Sequence, residues 1–91
     1  MKDPIRGIKM YYIADIYSYY DCDEQVQTVT VLAMAKNWNE ICEFAKQINE
    51  GKEYACYFGY CHSIGVYKTN GLVPPHTLKN MERFLPFRDL L

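Results

Sequence analysis

Three features of this 91-residue chain predict a small two-layer α+β domain, ordered ββαβ(β)α, with a mostly antiparallel sheet and two helices on one of its faces. Residues 8–20 and 25–33 are rich in β-branched and aromatic types and flank a short polar interruption, which marks an antiparallel hairpin. Residues 38–48 change to apolar positions three and four apart, which marks an amphipathic helix. All nine tyrosines fall in the segments that read as strand, none in those that read as helix.

The first strand, Ile8 to Tyr20, contains neither Gly nor Pro. With a period of two, Ile8, Met10, Tyr12, Ala14 and Ile16 share one face, while Lys9, Tyr11, Ile13, Asp15, Tyr17 and Tyr19 share the other. The first set is predicted to face the core and the second to face away from it. Asp21 to Glu24 supply the turn, and Gln25 to Ala33 return as the second strand, with Thr28 and Thr30 alternating with Val29 and Val31.

Asn37 can cap the helix that follows, and Glu40 stands three residues on. Trp38, Ile41, Ala45 and Ile48, with Phe44 beside them, form its apolar side; Glu40, Glu43, Lys46, Gln47 and Asn49 lie largely opposite, and Gly51 ends it. Residues 53–68 are again β-like but broken by Gly59 and Gly65, which makes them either one long bulged strand or, the favoured reading, two strands joined by a tight turn. Thr69-Asn70-Gly71 turns the chain. Pro74 and Pro75 lead into a second helix, Thr77 to Leu85, with Leu78, Met81 and Leu85 as its stripe and Pro86 after it. Residues 1–91 thus form one domain, and two helices connected this way cover the same face and leave the other open.

Composition narrows the function. A net charge of −1 and a pI near 6.1 argue against a nucleic-acid binder that works by neutralising phosphates, and the loose cluster Lys79, Arg83, Arg88 reads as a solvated helix face. Met1 to Gly7 lack the apolar region of a secretory signal and no stretch is long enough to span a membrane, so the expected location is the cytoplasm. Without an export signal, the four cysteines are expected as reduced thiols, with Cys42 a small core residue. Cys56, Cys61 and His62 do not have an established zinc spacing, so neither metal nor cofactor is expected.

No phosphate-loop, dinucleotide or zinc-protease motif is present. Cys61 and His62, as strand neighbours, diverge to opposite faces, and Asp21 and Asp23 belong to a solvated turn without a tuned pKa. Catalytic residues are therefore expected to be none, and the chain reads as non-enzymatic.

The open face is the remaining signal. Tyr11, Tyr17 and Tyr19, joined by Tyr57, make an outer aromatic patch, with Asp15 in its middle and Asp21, Asp23 and Glu24 at its end. Aromatic residues at the centre of a patch are what binding hot spots are commonly made of. Carboxylates repel a phosphate backbone, so the expected partner is a protein with a basic surface, bound by a module of the inhibitor or adaptor type. Small proteins of phages and mobile elements belong to that class. The alternative is a small-molecule binder holding a nucleotide-like ligand in an aromatic pocket near Gly59, Tyr60, His62 and Gly65, or at a homodimer interface.

Overall fold

The structure is a computed structural model and describes residues 9–51 and 61–90. Strand β1 (Lys9–Asp21) pairs antiparallel with β2 (Glu24–Ala35) through the expected hairpin. Cys22 and Asp23 form its two-residue loop, both with positive φ, 50° and 70°. That is the conformation whose twist matches a two-residue hairpin, here adopted without the usual Asn-Gly. The register slips between Ile13 and Ala14, so that Leu32 has no opposite residue, a β-bulge.

Helix α1 (Trp38–Glu50) begins where Asn37 predicts it: the Asn37 side chain accepts from the backbone N–H of Asn39 at 2.8 Å and of Glu40 at 3.2 Å. Ile41, Ala45 and Ile48 are its buried positions. Strand β3 (His62–Asn70) pairs antiparallel with the other side of β1 from Lys9–Asn70 to Tyr17–His62, and β4 (Leu85–Pro86) adds to the far edge of β3. The sheet order is β2-β1-β3-β4. The antiparallel α+β class is therefore as the sequence predicts.

Two details differ. The second helix is only a 3₁₀ segment, Pro75–Asn80, because two successive prolines open it and Met81 already has extended backbone. Met81 is exposed and Leu85 joins β4, so the predicted stripe is not built. The two layers also do not share a face. Ile13, Ala35 and Val66 pack with Ile41, Ala45 and Ile48 of α1 and with Phe87, which opens a last 3₁₀ segment, Phe87–Leu90. Met10, Tyr12, Ala14 and Tyr67 pack with Leu78 of the Pro75–Asn80 segment on the other side.

The face predicted to be open thus lies under α1. The physical reason is the run Met10-Tyr11-Tyr12-Ile13-Ala14, which is apolar at every position and so buries both faces of β1. Gly65 likewise lies inside β3 and makes no turn, whereas Gly59 and its neighbours fall outside the described residues.

Candidate functional site

Among the described residues, both faces are covered only along the inner half of β1. Beyond Tyr17, the last β1 residue paired with β3, the hairpin has one further tie among the described residues, a hydrogen bond from Ser18 N–H to the Cys61 carbonyl at 3.0 Å. Tyr19, Tyr20 and Asp21 then pair only with Val26, Gln25 and Glu24 among the described residues. This outer stretch is an arm, and its side chains are exposed: Tyr20 retains 74% of its surface, and Asp21, Asp23 and Glu24 are all open to solvent. Asp21 stands directly across from Glu24, an unfavourable like-charge pair in an antiparallel ladder.

Tyr17 and Tyr19 lie on one face of the arm and stack on each other, ring centroids 5.4 Å apart. Tyr17 also stacks on His62 at 4.6 Å, its registered partner across the β1–β3 ladder. Two of the predicted outer tyrosines are thus brought together in an exposed patch. Tyr11 is not among them. It is half-buried at the start of α1 with its ring edge-on to Trp38 at 5.2 Å, in a cluster completed by Phe84 and by the Lys68 ammonium lying over the Tyr11 and Phe84 rings. Tyr57 lies outside the described residues.

Asp15 is the main correction. The sequence pattern places it at the acidic centre of an exposed face, yet only 1% of its surface is accessible. Its side chain shares the α1 face, and His62, diagonal to it across the ladder, is joined to it by a 2.6 Å hydrogen bond between Nδ1 and Oδ2. Its other oxygen, Oδ1, is buried without a hydrogen-bond partner of good geometry. Burial, the dominant influence, raises the Asp15 pKa above the ordinary carboxylate value; the His62 hydrogen bond, the His62 charge and the Ser63 backbone amide oppose it. Asp15 is therefore a structural partner of His62 at the root of the arm and no part of its contact surface.

A second feature opens beside that pair, a cleft of about 320 Å³ lined by His62, Ser63, Ile64, Arg83, Pro86, Phe87 and Arg88. Its described lining includes no tyrosine, and Gly59 and Tyr60 of the predicted aromatic pocket lie outside the described residues. Gly65 contributes differently from expectation: a Cβ there would lie 2.1 Å from Arg83 Cδ, so the missing side chain is the space the arginine stem occupies. From that bed Arg83 reaches Ser63, whose Oγ accepts from Nη1 at 3.2 Å. Burial raises the pKa of the Tyr67 hydroxyl, the Arg83 charge lowering it and the Asp15 charge raising it further.

Sequence reasoning missed His62 and Arg83 as neighbours of a common site because their meeting depends on the β1–β3–β4 register. Among the described residues no helix is long and apolar enough to cross a membrane, and no three His, Cys, Asp or Glu side chains group as metal ligands. No protein-family model matches the chain, and neither the curated proteins nor the solved structures give a significant match.

Proposed function

We propose that this chain is a non-enzymatic protein-interaction module, of the inhibitor or adaptor type, that contacts a partner through the outer arm of the β1–β2 hairpin. The observation that carries this reading is the coincidence, on one arm, of Tyr17, Tyr19 and Tyr20 with the exposed carboxylates of Asp21, Asp23 and Glu24. Tyrosine supplies rigid, amphipathic contact area at low entropic cost. The facing Asp21 and Glu24 repel each other, and a cationic surface docked at the tip relieves that repulsion. A partner with a basic surface fits this arrangement; a phosphate backbone does not.

Site-specific crosslinking tests the reading. A photoreactive phenylalanine analogue at position 20 should trap one discrete protein from cells that make the chain. The same group at exposed Leu72, outside the arm, should not. Adding Tyr19→Ala together with Asp21→Lys and Glu24→Lys should abolish the adduct. Equal trapping from positions 20 and 72 would contradict the proposal.

A further inference from the structure

We infer that the cleft between the start of β3 and the C-terminal 3₁₀ segment is a binding site for the phosphate group of a small organic phosphate monoester. This site is separate from the arm and stands independently of the interaction proposed for it.

The lining decides the chemistry. Arg83 and Arg88 both border the cleft, and neither forms an ion pair with a carboxylate among the described residues. Ser63 adds a hydroxyl and His62 an imidazole anchored from behind by Asp15. Two guanidinium groups and a hydroxyl offer more donors than the two oxygens of a carboxylate can use, whereas a phosphate monoester has three terminal oxygens and nearly two charges. The other described lining residues are Ile64, Pro86 and Phe87, apolar surface that suits a compact ring or chain attached to the phosphate. A volume of about 320 Å³ exceeds what inorganic phosphate fills and falls at the small end of ligand sites.

Arg83 is exposed as a whole, yet a dedicated seat for its stem separates it from an ordinary surface arginine. Its stem crosses β3 where Gly65 has no side chain, and its head is tethered to Ser63. Any larger residue at position 65 must push the stem away. Chain charge alone does not account for such a placement, since the protein as a whole is slightly acidic.

The test uses the full chain and phenyl phosphate as the probe, at low ionic strength so that screening is weak. Backbone-amide NMR should show saturable shifts concentrated at Ser63, Ile64 and Phe87. Arg88→Gln, at an exposed position, should weaken binding about tenfold, the worth of one charge-assisted hydrogen bond. Gly65→Ala, which leaves every charge in place, should weaken it by a similar factor through displacement of Arg83, and Arg83→Lys should retain only part of the affinity because an ammonium lacks the planar fork. Three results would overturn the inference: shifts that do not saturate and scatter over surface lysines, benzoate binding as tightly as phenyl phosphate, or unchanged affinity in a folded Gly65→Ala and a folded Arg88→Gln protein.

Discussion

Along the 13 residues of β1 the sequence changes from Met10–Ala14, apolar at every position, to Tyr17–Asp21, where rings accompany a hydroxyl and a carboxylate. The inner half is sandwiched between α1 on one side and the Pro75–Asn80 segment on the other; the outer half is covered by neither, and the Asp15–His62 pair stands at the boundary. The contrast teaches that tyrosine by itself does not report exposure. Tyr12 is fully buried in the inner half and receives the Val73 N–H on its hydroxyl at 3.1 Å, whereas Tyr20, eight residues on, is mostly in solvent. The context that distinguishes them is the residue type at the intervening positions.

The largest expected effect lies in the inner half. Ile13 is wholly inaccessible and joins α1 to β3, so Ile13→Ala should cost about 4 kcal/mol in urea unfolding. A cost under ~1 kcal/mol would mean that α1 does not pack there.

At the boundary, His62→Ala leaves the Asp15 carboxyl buried without its partner and should cost about 3 kcal/mol at neutral pH. Replacing Asp15 by Asn in the same protein should recover much of that loss. The pH dependence carries a definite sign. Because burial raises the folded-state pKa of Asp15 above its ordinary 3.8, its contribution to stability is fully present below that value and is lost as pH rises through the raised one. Asp15→Asn should remove this decline, so the stability difference between variant and parent should shift in favour of the variant as pH rises from 3.8 through the raised value. A pH-independent difference would place Asp15 in a solvated site.

Smaller effects belong to the arm. Cys22→Asn with Asp23→Gly supplies the residues that its positive-φ loop favours and should raise stability by about 1 kcal/mol, measured as an increase in urea midpoint at constant m-value. No change would mean that the loop carries no strain.

Much of this architecture was legible in the sequence. The hairpin followed from two β-rich runs around Asp21–Glu24, and the start of α1 followed from Asn37 with Glu40 three residues later. What misled was strict alternation applied to a strand buried on both faces: it put Ile13 and Asp15 outside, and the five-residue apolar run Met10–Ala14 was the signal against it. In the helix, three- and four-residue spacing put Trp38 and Phe44 on the apolar side, yet both remain over a third exposed while Ile41, Ala45 and Ile48 carry the packing. Asp15–His62 and the Gly65–Arg83 contact were not readable, since residues 47 and 18 positions apart meet only once the β3 register and the return through β4 are known. Periodicity within a segment carries no information about either.

If the outer arm of β1 serves contact with a partner, as proposed, it contributes little to the fold. Urea unfolding of the Tyr19→Ala, Tyr20→Ala double variant tests it most directly. A stability within about 1 kcal/mol of the parent protein is expected, the worth of one exposed aromatic stack. A loss of about 3 kcal/mol or more, comparable to that from Ile13→Ala, would place these tyrosines in a core and contradict it.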